Sequence, residues 1–195
     1  MGLQPIKTST SNGIPVFEEV FELIKGGGLI DATGLVADSS IAAGTPIKFD
    51  YATRSGAVVK TFKVQANATN VAVVIRVEKL SQAIVGTILG KTAGAAGRAI
   101  TVIDKTSPDY DVLTVGTTLG VILTAGDVLF EAGTAGDATA AIKALPNGLL
   151  QNEIIAATGE QINVVIRGTA FERRIPGMID AHKAAMKGII FSQSY

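Results

Sequence analysis

Short runs of β-branched and other apolar residues, separated by Gly, Asn and Asp, fill the chain from about Leu29 to Ile175. Runs of this length, bounded by turn residues at intervals usual in sandwiches and barrels, predict an all-β domain. The predicted strands are residues 46–51, 58–64, 71–77, 83–89, 99–103, 119–123, 128–131 and 161–167. We therefore expect a mainly β fold, arranged as a compact β-sandwich or barrel-like domain.

One pattern occurs twice within this β-rich text, as IAAGTPIKFD at residues 41–50 and as LTAGDVLFEA at residues 123–132. In both copies a branched apolar residue precedes a short loop with Ala-Gly at its bend, and an apolar-first strand follows. Glycine adopts positive φ without steric cost, so Gly44 and Gly126 predict sharp turns. The pattern is typical of structural β corners and not of active sites.

The N-terminal segment has a different pattern. Residues 1–15 are rich in Pro, Ser, Thr and Asn and poor in apolar side chains, which predicts an extended arm. Phe17, Val20, Phe21 and Ile24 then follow at helical spacing, ahead of three glycines, and predict a short amphipathic helix over residues 16–25. Such a helix can lie on its own domain or dock onto another subunit.

The C-terminal segment also changes period. After Pro176 and Gly177, residues 178–187 place Met178, His182 and Met186 on one side of a predicted helix, and a last apolar strand follows. That strand is expected to close the sheet and tether the terminus. The predicted organisation is an arm and short helix in residues 1–27 and a β-rich domain with a C-terminal helix in residues 28–195.

The amino-acid composition limits which kinds of partner and chemistry we expect for this protein. Seventeen basic residues balance 17 acidic ones, so no net field favours nucleic acid or an anionic membrane. No cysteine is present, which excludes thiol chemistry and fits a reducing cytoplasm. Signal-peptide features and long apolar runs are also lacking, so we expect no membrane partner. Charged residues make up only 17% of the chain, which predicts an apolar surface covered by partner subunits.

The residues that could carry chemistry each lack a required companion. Residues 86–92 have one residue too few between the glycines for a phosphate-binding loop. His182 is the only histidine and no cysteine is present, which excludes a histidine-rich zinc site. The Gly-x-Ser-x-Gly elbow of a serine nucleophile is also missing from the sequence. Asp104, Asp109 and Asp111 miss the spacing of a calcium loop and suit a solvated turn. We predict no catalytic residue, no cofactor, no metal and no enzymatic activity.

Arg173 and Arg174 interrupt an apolar stretch together with Glu172. They fit a solvated strand end, or a charged contact with a neighbouring subunit, where arginine favours bidentate pairing.

Several segments together resemble the head decoration and head fibre-type proteins of tailed bacteriophages. They are the two Ala-Gly corners, GLLQNE at residues 148–153 leading into INVVIRGTA at residues 162–170, and the closing HKAAMKGIIF at residues 182–191. The resemblance extends from about Leu29 to the C-terminus, and the closing helix and strand are its most specific part.

The resemblance implies a small, often trimeric β-rich domain that sits on the outer capsid lattice and cements major capsid subunits. Members of this family often use an extended N-terminal arm to add a strand to a capsid protein, and residues 1–15 suit that role. The candidate capsid-anchor residues are Ile6, Phe17, Val20, Phe21 and Ile24. The candidate inter-subunit residues are Arg173 and Arg174.

The expected function is thus that of a structural virion protein, made in the host cytoplasm and located on the capsid exterior. It would bind the major capsid protein as a homotrimer, with neither nucleic acid nor membrane as a partner. A head fibre base or adaptor is the first alternative. The second is a cytoplasmic β-rich enzyme subunit, in which His182 and Asp104 would converge on a polyol or sugar-acid pocket.

Overall fold

The computed structural model of the protein describes residues 15–79 and 81–193, apart from the side chains of residues 25–27. The first strands in chain order are β1 (Phe17–Asp31), β2 (Ser40–Ile41), β3 (Pro46–Asp50), β4 (Ser55–Val58), β5 (Thr61–Lys63), β6 (Val74–Glu78) and β7 (Ile88–Gly90). The later strands are β8 (Gly97–Asp104), β9 (Tyr110–Val115), β10 (Val128–Glu131), β11 (Gly148–Leu150), β12 (Ile154–Ile155), β13 (Gln161–Phe171) and β14 (Ile189–Ser192). A 3-10 turn (Glu172–Arg174) and one helix, α1 (Asp180–Ala185), precede β14.

The first sheet closes on itself. β1 pairs with β4, β4 with β3, β3 with β11 and β11 with β13, and β13 pairs again with β1, so these strands form a barrel. Closure pairs strand edges that an open sheet would expose, although β4 pairs with β1 only at the C-terminal end of β1. Ile47, Leu150 and Val164 fill its interior and are 0% exposed. With 45% of residues in strands and 5% in helix, the mainly β, barrel-like prediction is confirmed.

The second sheet is built entirely from the chain between β4 and β11. Its strand order is β5-β10-β7-β8-β9-β6, and its two outer strands approach each other at an antiparallel bridge between Val64 and Val77. Leu89, Leu113 and Leu129 point inward and are 0% exposed. The molecule therefore contains two barrels, the second inserted into the chain of the first.

The Ala-Gly corners have the geometry that the sequence predicts. Gly44 has a φ of 79° and Gly126 a φ of 94°. In both turns the residue after the glycine donates its N–H to the carbonyl three residues earlier, from Thr45 to Ala42 at 3.2 Å and from Asp127 to Thr124 at 2.9 Å. The glycine N–H groups donate to Leu150 and Val64 of neighbouring strands. Gly86, with a φ of 90°, makes a third corner of the same kind.

The prediction of a helix over residues 16–25 is wrong, because the segment belongs to the long strand β1. β1 runs antiparallel to β13 with four irregularities in register. Bulges add residues to a strand and shift the alternation of its side chains. Phe17, Val20 and Leu23 all pack against one core cluster, three residues apart, and so imitate a helical spacing. Gly168 allows the close approach of the bulged strand, since a Cβ there would lie 2.5 Å from the Glu19 carbonyl oxygen.

Other details of the strand pattern differ locally. Residues 119–123 were predicted as a strand but contribute an isolated bridge from Leu123 to Ala68. The sequence pattern missed β9, because Asp111 suggested a turn where the structure has an inward-facing strand residue. The predicted C-terminal helix and closing strand are confirmed as α1 and β14, with β14 parallel to β13.

Candidate interaction surfaces

The predicted capsid-anchor residues separate into internal and external side chains. Phe17 and Val20 pack against the cluster formed by the first sheet and the C-terminal segment. Ile24 is 7% exposed and belongs to the core of the first barrel. Phe21 is 58% exposed. Ile6 lies outside the described residues, so Phe21 is the described anchor candidate that presents most of its side chain to a partner.

The N-terminal half of β1 has an unpaired edge among the described residues. β13 pairs with β1 from Phe17 onward, whereas β4 pairs with the opposite edge only from Leu29. Exposed Glu18, Glu19 and Glu22 accompany Phe21 on this half of the strand. An unpaired strand edge is a template for another strand, and acidic side chains there oppose pairing with an equally acidic copy. We call residues 17–24 the open edge of β1.

The predicted inter-subunit arginines lie in the 3-10 turn after β13. Arg174 donates a hydrogen bond to the Pro15 carbonyl at 3.0 Å, and its guanidinium lies 4.4 Å from the centre of the Phe171 ring. Arg173 lines a surface cleft beside Gln193. Arg174 therefore helps to fix the chain where it enters β1, and an inter-subunit role for either arginine stays a prediction.

A second surface with apolar side chains lies on the outside of the second barrel. Val74 of β6 is paired in register with Thr114 of β9, which is paired with Val102 of β8. Val74 is 49% exposed and Val102 is 57% exposed. The adjoining loops, 66–73 and 116–123, are joined by the Ala68–Leu123 bridge. They carry the exposed side chains of Val71, Val73 and Ile122.

We call these residues, Val71, Val73, Val74, Val102, Thr114 and Ile122, the valine face. Sequence reasoning missed the face as a site. The alternation in β6 and β8 was visible, but the register that aligns their outward residues through β9 is set by pairing between distant segments. The available signal was the low fraction of charged residues, which predicts apolar surface without locating it.

His182 is poorly placed for acid–base chemistry. It lies on α1 and is 0% exposed, and neither ring nitrogen has a hydrogen-bond partner among the described residues. Burial lowers the pKa of His182 from 6.5 to about 4, since the charged ring would lose its hydration. Asp104 is exposed at the end of β8 on the second barrel. The structure does not bring these two side chains together in a shared pocket.

Two of the three acidic residues between positions 104 and 111 make structural contacts. Asp111 is 1% exposed, accepts a hydrogen bond from Ser81 Oγ and forms an ion pair with Lys79 Nζ at 3.0 Å. Asp104 accepts a hydrogen bond from the backbone N–H of Thr106, which lowers the pKa of Asp104. Asp109 is exposed. Within residues 15–79 and 81–193, no group of acidic or histidine side chains could hold a metal ion.

A cleft of about 490 Å³ lies between the barrels and is lined in part by Lys60, Glu131 and Lys143. Its charged groups satisfy one another or the backbone. Lys143 pairs with Glu131 at 2.8 Å, and Lys60 Nζ donates to the Gly34 carbonyl at 2.5 Å. Burial lowers the pKa of Lys60. These contacts indicate a structural junction between the barrels.

Comparisons with known proteins found no matching family model, curated protein or solved structure. In the described part of the chain, no helix has the length and apolar character needed to cross a bilayer. The open edge of β1 and the valine face are the two surfaces described above on which apolar side chains are exposed.

Proposed function

We propose that the protein is a structural component of a tailed-bacteriophage virion that decorates the capsid exterior by binding the major capsid protein as an oligomer. The observation that carries this proposal is the open edge of β1, where an exposed Phe21 lies on a strand unpaired on one side among the described residues. Such an edge can receive a strand from a partner, while an aromatic side chain supplies apolar contact area.

The position of this edge in the chain also supports the proposal. β1 begins at Phe17, directly after the arm that the sequence predicts for residues 1–15. Glu18, Glu19 and Glu22 favour a capsid surface with basic side chains at this contact.

Many weak contacts repeated over a lattice produce strong attachment when the protein binds as an oligomer. Such contacts need no catalytic group. The homotrimer expected from the resemblance stays a prediction.

The test is co-sedimentation with shells of the parent phage's major capsid protein that were assembled without this chain. We expect the full chain to bind, and Phe21→Asp to lower the affinity at least tenfold, because it removes the apolar contact and adds negative charge. Tyr51→Asp is the matched control, since Tyr51 is an aromatic residue of similar exposure, 59%, that follows β3. Equal binding by the full chain, the Phe21 variant and a version starting at Pro15 would refute the open edge as the anchor, and no binding by the full chain would refute the function.

A further inference from the structure

The valine face continues into a row of charged residues whose order is self-complementary. One step along the strands from Val74, Thr114 and Val102, the next outward row consists of Arg76 on β6, Val112 on β9 and Asp104 on β8. A cation thus stands at one side of the row, an anion at the other, and an apolar residue lies between them. All three strands lie in one sheet, so both rows belong to one surface.

Both charged groups retain the capacity to bind a partner. The Arg76 guanidinium lies 5.0 Å from the centre of the Tyr110 ring, and none of the ion pairs within the described residues includes it. Asp104 accepts the Thr106 N–H at 2.9 Å through Oδ1 and also interacts with the Thr106 side chain, and none of the ion pairs within the described residues includes it. Both residues are exposed.

A two-fold axis parallel to β9, lying just outside the sheet, would bring two copies of this surface face to face. This operation exchanges the positions of β6 and β8 and leaves β9 opposite β9. Arg76 would then face the partner's Asp104, and Asp104 would face the partner's Arg76. Val74 would face the partner's Val102, and Thr114 would lie beside its own symmetry copy. A two-fold contact needs this kind of self-complementary surface.

We propose that the valine face, together with Arg76 and Asp104, is a two-fold contact between two copies of this chain. The charge order selects a second copy as the occupant, since one surface supplies both the attractive groups and their counterparts. Exposed apolar surface of this kind, bordered by polar groups, is a usual mark of a protein contact. The contact needs no capsid protein, so this proposal can be tested independently of the proposed decoration function.

The size of the face sets the expected strength. A face of three strands with about five residues each covers on the order of 250 Å² at ordinary strand spacings. Stable interfaces bury roughly 800 Å² on each partner, so the loops that carry Val71, Val73 and Ile122 must contribute. We therefore expect a weak association, with a dissociation constant in the micromolar range or above, visible at high protein concentration.

Charge exchange tests the arrangement. Sedimentation equilibrium of the full chain should show a concentration-dependent doubling of mass, and Arg76→Asp or Asp104→Arg alone should weaken this step at least tenfold by placing like charges opposite each other. Mixing the two single variants should restore it, because each contact in the mixed pair again joins opposite charges. The double variant Arg76→Asp/Asp104→Arg should restore it as well.

Lys48→Asp is the matched control, since it reverses an exposed strand charge on the first barrel and should leave the doubling unchanged. Equal thermal transitions for all variants will show that folding is intact. The proposal is overturned if the wild-type mass does not double up to about millimolar concentration, a range in which even weak pairs are populated. It is also overturned if the single variants double like the wild type, or if neither the mixture nor the double variant regains association.

Discussion

His182 shows what one side chain can reveal about the stability of this fold. The ring is 0% exposed and lacks a hydrogen-bond partner among the described residues, so the folded state accommodates only its neutral form well. Sequence periodicity correctly placed His182 on the inward side of a C-terminal helix. The depth of its burial depends on tertiary packing around α1, which the local sequence does not encode.

Stability should consequently fall in mild acid. The unfolded chain binds a proton at His182 near pH 6.5, whereas in the folded state the pKa of His182 is about 4. The stabilisation linked to neutral His182 is therefore fully present above the unfolded pKa of 6.5. It is lost as the pH falls from 6.5 to about 4, which lowers the free energy of unfolding by about 3 kcal/mol in total. Urea unfolding from pH 7 to pH 4 should show this loss in the wild type and a smaller loss in His182→Leu. Equal pH dependence in the two proteins would contradict it.

Asp111 provides a second residue-scale test, because its buried carboxylate depends on Lys79 and Ser81. Lys79→Met should lower the free energy of unfolding by about 2 kcal/mol, less than for a fully buried pair because the lysine is partly exposed. Lys105→Met is the control, since Lys105 is exposed and donates only to a backbone carbonyl. Denaturant unfolding at pH 7 measures both effects, and equal losses for the two variants would show that the Asp111 pair has no special weight.

At the scale of elements, local signals identified the pieces whose geometry is local. The corners at Gly44 and Gly126 follow from glycine's access to positive φ, and β10 occupies the residues that the pattern indicated. β1 was mistaken for a helix because its bulges arise from pairing with β13. The same long-range pairing determines which side chains of the open edge are exposed. The sequence identified Phe21 as a candidate, but it could not show that Phe17, Val20 and Ile24 turn inward.

The bulged pairing of β1 with β13 depends on Gly168. An added Cβ would lie 2.5 Å from the backbone oxygen of Glu19, an atom that can move only with the strand. We expect Gly168→Ala to lower the free energy of unfolding by about 2 kcal/mol through this overpacking. The control is Gly116→Ala, where the nearest atom to the Cβ would be Thr101 Cγ2 at 3.6 Å. Thermal unfolding of both variants measures the difference in stability. A Gly168 variant as stable as the Gly116 variant would refute the close approach of β1 to Gly168.

At the scale of the whole molecule, two barrels share one chain, and polar side chains join them. Gln82, from the second barrel's loop before β7, is 9% exposed. Its Oε1 accepts the Val36 N–H at 3.2 Å, and its Nε2 donates to the Ser40 carbonyl at 3.2 Å. The sequence could not predict this division, since both barrels use the same corners and short strands. Which strands pair is decided by contacts between residues far apart in the chain.

The joint formed by Gln82 should make the two barrels unfold together. Gln82→Leu would remove the partner of the part-buried Val36 N–H and Ser40 carbonyl, which should lower the free energy of unfolding by about 2 kcal/mol. If the barrels are coupled, amide hydrogen exchange will accelerate in both β9 and β13, which belong to different barrels. Gln65→Leu, at an exposed glutamine, should change neither strand. Faster exchange in β9 alone would mean that the second barrel opens independently, and that Gln82 stabilises only its own loop.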